Sequence, residues 1–273
     1  MSRFSRLLLA AGVAAFTLGP AAARAQDSKN PGLPGPYHFA VTGYGAEPAD
    51  AVREEFHQTY PLSPDGRVAL KNVNGGVHVT VWDRNEVKLD AVKTAKDQET
   101  LAATQILVDA RADSVEIRTD SREHNRMASV EYTLVVPRRA KLDSFDLVNG
   151  ALDVDGVQNR VHLRTVNGSI TARNLGGDVD LATVNGRVNS EIDRLEPNTR
   201  ISLKSVNGTV DAALPAGASA LVRANTVHGK IDSDFGVPDT SRRVGQRLDA
   251  TLGSGGSPVD MSTVNGAIRI RKR

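Results

Sequence analysis

Thr165 to Gly186 reads TVNGSITARNLGGDVDLATVNG, so the same four residues return after eighteen positions. A recurrence this regular constrains the fold more than any single residue type, because it requires a unit that stacks on copies of itself. Asn-Gly stands at Asn74, Asn149, Asn167, Asn185, Asn207 and Asn265, and His228-Gly229 stands in the same frame. From Gly150 the glycine-to-glycine steps are 18, 18, 22, 21 and 37 residues. The last step reads as two turns with a degenerate one between them, around residues 242–252.

The flanks repeat as well. Val161, Leu163, Thr165 and Val179, Leu181, Thr183 precede the asparagine with period two, and Ile170, Ala172 and Val188, Ser190 follow the glycine. Period two with β-branched residues predicts half-buried strands. Each unit is therefore strand, Asn-Gly corner, strand and a looser corner such as LGGD or LPAG. Asn-Gly between alternating strands also fits an antiparallel hairpin meander. A meander gives no reason for asparagine at one fixed corner while the opposite corner varies, whereas a coil does. Eighteen residues trace roughly 60 Å at about 3.3 Å each, enough for one flattened turn, and successive turns pair in parallel about 4.8 Å apart. The expected fold is all-β: a single-stranded parallel β-helix or roll of roughly ten turns.

Parity assigns a role to the repeated asparagine. If Val161 and Leu163 face the core, so does Asn167. Inward amides stacked turn on turn satisfy one another as an Asn ladder. The expected ladder is Asn74, Asn149, Asn167, Asn185, Asn207, His228 and Asn265, with glycine supplying a positive φ at each corner. Thr165, Thr183, Ser205, Thr226 and Thr263 form an inward column beside it. The residue before the asparagine is valine in all seven copies: Val73, Val148, Val166, Val184, Val206, Val227 and Val264. By the same parity these point outward. They either fold back at the corner or form an apolar stripe that meets a partner.

Residues 1–25 read as a secretory signal, with Arg3 and Arg6 before the apolar run Leu7 to Leu18 and a small-x-small site at Ala23-Arg24-Ala25. Residues 26–50, rich in Gly and Pro, read as an irregular leader. Residues 51–140 form the first, β-rich turns, with one short helix near 97–104. Residues 141–273 form the regular repeat. No later apolar stretch has the length of a membrane span. Removing the three arginines of 1–25 takes the formal charge from +2 to about −1. A nearly neutral chain lacks the electrostatic footprint of a nucleic-acid binder. The absence of cysteine excludes disulfides, a lipoprotein anchor, thiolate metal sites and cysteine nucleophiles.

These units, with GRVALKNVNGGVHVTVWDRNEVKLDAVKTA, SVEYTLVVP, GKIDSDFG and the closing LGSGGSPVDMSTVNGAIRIR, resemble the DUF4097 family of candidate adhesins in the bacterial envelope. The resemblance runs from about Gly66 to Arg273. It implies a right-handed single-stranded β-helix, export and no established enzymatic activity; the chain is expected in the periplasm, in the medium or at the cell surface, as a non-enzyme without a cofactor. It supplies no catalytic residues. Partners would be envelope glycans or proteins.

Two sharper readings compete. Asp211 and Asp232, each three residues after a repeat glycine, would lie about 5 Å apart if their turns were adjacent, which suits a retaining glycosidase pair. The stretch GSGGSPVD resembles a calcium-binding roll repeat but occurs once. The six histidines show no ligand spacing. Trp82, the single tryptophan, is expected in the core.

Overall fold

The computed structural model describes residues 51–122, 126–236, 240–241 and 245–273. The segments 1–25 and 26–50 lie outside the described residues. Two sheets carry the fold, one of eleven strands and one of ten among the described residues. The strand entering each Asn-Gly corner belongs to the first, here the front sheet. The strand leaving it belongs to the second, the back sheet. Thus Val161–Asn167 pairs in parallel with Val179–Asn185 in the front sheet, while Ile170–Leu175 pairs in parallel with Val188–Ile192 in the back sheet. The chain is a parallel β-solenoid with two strands per coil.

Inward residues of both sheets meet between them. Val161, Leu163, Ile170, Ala172, Val179 and Leu181 are fully or almost fully buried, and one continuous apolar cluster runs from Leu62 to Ile270. The alternation of the sequence therefore maps onto the pleat: one face of each sheet is core and the other is solvent.

Order in space departs from order in sequence at both ends. Ser257–Asn265 lies between Ile201–Asn207 and Ala220–His228. The final coil thus inserts inside the one that precedes it in sequence. The expected degenerate turn is instead the strand Gln246–Leu252, which runs antiparallel to Ala220–His228 and covers the sheet edge. At the other end, Ser114–Ser121 and Ser129–Pro137 form a coil outside the Asn74 coil. Antiparallel strands Thr104–Arg111, Glu86–Ala95 and Val52–Pro61 then flank it. These additions blunt the open ladders that a bare solenoid would present. They also explain why the described residues form eight two-strand coils where spacing suggests roughly ten. Antiparallel flanking strands carry the same period-two pattern as coil strands.

The expected short helix spans Gln98–Ala103, capped by Asp97, whose carboxylate accepts the Thr100 amide at 2.7 Å. That bond holds the Asp97 carboxyl below its ordinary pKa. Trp82 is half-buried rather than in the core. Its Nε1 donates to the Glu86 carbonyl at 2.8 Å, and the Arg84 guanidinium stands 5.0 Å from the ring centroid. An indole N–H needs a partner, and the sheet rim offers one.

Candidate functional site

The repeated corner has three layers. Innermost is a hydroxyl column. Thr165 donates to the Gly150 carbonyl at 3.0 Å, Thr183 to Gly168 at 2.8 Å and Ser205 to Gly186 at 3.0 Å. Thr263 donates to Gly208 at 2.9 Å and Thr226 to Gly266 at 2.8 Å. Each buried hydroxyl thus satisfies a corner carbonyl of the adjacent coil, as buried polar groups require.

The glycines form the middle layer. A Cβ on Gly168, Gly186, Gly208 or Gly266 would overlap the glycine carbonyl oxygen of the adjacent coil. Of the seven repeat glycines, Gly75 alone has a positive φ, at 107°. The expectation that each corner needs left-handed backbone is therefore corrected: glycine is required because backbones stack too closely for a side chain.

The asparagines are outermost, which corrects the expected inward ladder. Asn149, Asn167, Asn185, Asn207 and Asn265 are exposed, and Asn74 is half-buried. They do form a ladder. Asn149 donates to Asn74 at 3.0 Å, Asn167 to Asn149 at 2.9 Å, and Asn185 to Asn167, Asn207 to Asn185 and Asn265 to Asn207 at 2.8 Å each. His228 continues the column through its backbone, accepting the Gly266 amide at 2.9 Å. Parity failed because the chain turns between the valine and the asparagine. Front-sheet pairing passes from Thr165–Thr183 to Asn167–Asn185, and Val166 and Asn167 are both exposed. Two consecutive outward residues mark the corner.

An exposed amide costs less to remove than a buried one, since water replaces the lost bonds. Asn185→Ala is expected to destabilise the protein by about 1 kcal/mol or less. A urea titration that gave about 3 kcal/mol would mean that the ladder is the main support of the corner.

The valines behave as the outward reading required. Val148, Val166, Val184, Val206, Val264 and Val227 are 39–43% exposed and lie in that order on consecutive coils, with half-buried Val73 before Val148. Seven coils at about 4.8 Å make a stripe roughly 30 Å long. The asparagine ladder borders it on one side.

The carboxylates of the back sheet do not form a pair. Arg269 lies in register between Asp211 and Asp232, and its Nη1 stands 3.4 Å from Asp211 Oδ1. The carboxylates are two strand spacings apart with a guanidinium between them. The sequence missed this because the Arg269 coil enters out of order. Among the described residues, no cluster of three or more His, Asp or Glu has the geometry to hold a metal ion. No helix among them is long and apolar enough to cross a membrane.

Sequence parity also overlooked Asn72, the inward amide of the Asn74 coil. Its Nδ2 donates to the carbonyls of Asn74, Gly75 and Val130 at 3.0, 3.1 and 2.8 Å. Its Oδ1 accepts the Thr119 hydroxyl at 2.8 Å, and that hydroxyl meets the Tyr132 phenol at 2.7 Å. Burial raises the Tyr132 pKa to about 12, with the Thr119 bond opposing. The folded state therefore holds this proton more tightly than the unfolded chain, whose tyrosine titrates near 10. The stability it contributes is complete below pH 10 and is lost as pH rises toward 12. Tyr132→Phe is expected to flatten the fall in melting temperature between pH 10 and 12. An unchanged slope would place the alkaline sensitivity elsewhere.

A parallel two-sheet β-solenoid with stacked glycine corners and an outward asparagine column defines the class of this protein. The chain belongs to the Toastrack DUF4097 family, whose model matches residues 59–271. No curated protein matches it. Among solved structures it is similar to a candidate cell adhesion protein from Clostridium sporogenes, at 12% identity and a TM-score of 0.49, over 81% of this chain and all of that one. A candidate adhesin from Bacteroides fragilis matches at 12% identity and a TM-score of 0.38, over 80% of this chain and 97% of its own. A candidate lipid binding protein from Parabacteroides distasonis matches at 11% identity and a TM-score of 0.34, over 82% and 97%.

Proposed function

We propose that the protein is an exported, non-enzymatic binding or structural component of the bacterial envelope, acting through its front sheet. The observation that carries this reading is the valine stripe. A sheet face turned to water is normally polar, and a contiguous apolar patch on it marks an interaction surface. Here one apolar position repeats through seven coils. Export rests on the signal-like segment 1–25, and processing is expected to leave Gln26 at the N-terminus. The flat, repeated geometry suits extended, multivalent contact with an envelope glycan or protein. The separation of Asp211 from Asp232 by Arg269 weighs against the glycosidase alternative.

The test is retention of the purified protein on envelope fractions, including peptidoglycan and surface polysaccharides, with released fragments assayed in parallel. Retention without fragments, lost in Val166→Lys/Val184→Lys, is expected. Sugar fragments that disappear in Asp211→Asn/Asp232→Asn would overturn the reading.

A further inference from the structure

We infer that the valine face is also the interface of a two-fold dimer: two copies packed front sheet to front sheet, solenoid axes antiparallel, centred between the Asn167 and Asn185 coils. The inference rests on the reading of this face as a partner surface and names a second copy as that partner.

Charge in register carries the argument. On the front sheet each coil presents its valine, or Asp120 in the Ser114–Ser121 coil, then outward residues two and four positions earlier. Counted from the Ser114–Ser121 coil, the proposed axis sets the first coil against the eighth, the third against the sixth and the fourth against the fifth. Val166 then meets Val184, and Val148 meets Val206. Asp146 meets Lys204, Glu116 meets Arg223, and His162 meets Asp180, each twice by symmetry. Lys71 faces Ser262 and Arg164 faces Ala182, so no like charges oppose each other across these eight coils. Shifting the register by one coil removes this match. In one direction Lys71 faces Lys204 and Arg164 faces its own copy. In the other, Arg164 faces Lys204 and Asp180 faces its own copy.

The charges of the Asp146–Lys204 and Glu116–Arg223 matches are available, whereas His162 and Asp180 already stand 3.4 Å apart within one copy. Lys204, Arg223 and Glu116 form no ion pair among the described residues, and Asp146 accepts only the Ser144 hydroxyl, at 2.6 Å. Beyond the eight coils, Asp109 would approach Asp249, but each is already paired, with Arg111 at 3.1 Å and Arg247 at 2.6 Å. Sheet twist also separates two packed faces toward their ends. The area suffices: eight coils at about 4.8 Å and a strand width of about 20 Å offer roughly 700 Å² per copy. That is near the ~800 Å² per partner of a standard stable interface.

Sedimentation velocity on the purified protein tests this. A reversible dimer is expected at micromolar concentration. Asp146→Lys and Lys204→Asp should each weaken it roughly tenfold or more, because like charges then face each other. The double swap should restore it to within about threefold of the wild type. A chain that stays monomeric up to about 100 µM, or a dimer indifferent to both single swaps, would overturn the inference. Envelope retention separates the two failures. A monomer whose retention still needs Val166 and Val184 removes the second copy and keeps the face as a partner surface. A monomer whose retention ignores them removes both.

Discussion

Gly186→Ala is expected to destabilise the solenoid by about 3 kcal/mol or more, at the upper end of overpacking costs. The added Cβ has no room, because it meets the Gly168 carbonyl oxygen of the adjacent coil. Nor can the corner move aside, since the Gly186 amide is bonded to the Asn207 carbonyl at 3.1 Å and Gly168 is bonded to Asn185 at 3.0 Å. Strain at one corner therefore reaches two neighbouring coils. For a chain of this size the loss corresponds to a fall of about 10 °C in melting temperature. Gly217→Ala is the control, because a Cβ there meets nothing within 4 Å. It should stay within about 0.5 kcal/mol of the wild type. If the two substitutions melted alike, close backbone stacking would not be the reason for the repeated glycine.

Asn72→Leu is expected to cost about 2–4 kcal/mol, because several buried groups lose their partner together. Leucine itself fits: Leu147 stands at the same inward position of the adjacent coil. The cost comes from the carbonyls of Asn74, Gly75 and Val130, and from a Thr119 hydroxyl left with the Tyr132 phenol. This network ties the Asn74 coil to the coil outside it, where the repeat loses its Val-Asn-Gly signature. Urea unfolding of Asn72→Leu beside Asn185→Ala compares a buried amide with an exposed one. The buried one should dominate. Equal effects would contradict the placement of the two side chains.

Much of the fold was legible because the repeat is written in two independent codes. Period-two alternation at Val161, Leu163 and Ile170, Ala172 named the strands and their buried faces. The fixed corner named the stacking. Three things were not legible. Parity is a rule for straight strands, and it fails where the chain turns, so Asn167 was placed inside and the glycine was credited with a conformation it does not need. Spatial order is set by which edge remains open when a coil closes. Spacing alone therefore did not show that the Asn265 coil inserts before His228, which left the adjacency of Asp211 and Asp232 open. The third is the role of Asn72, which lies one step out of the repeated frame and carries no local motif. The outward valines were visible in the sequence as a constant position, but their exposure depended on the same corner that misled the parity of the asparagine.

The absence of cysteine makes the functional claim directly measurable, because Val184→Cys introduces the single thiol of the chain. Its rate of modification by a water-soluble maleimide would be compared between dilute purified protein and the same protein mixed with bacterial envelope fractions. Thr171→Cys, half-buried on the outward side of the back sheet, serves as the reference. Position 184 is expected to be labelled readily in dilute solution and at least tenfold more slowly with the envelope present, while position 171 changes little. Equal labelling of position 184 in both settings would show that the valine face stays in water beside the envelope, and would contradict its proposed role as a binding surface.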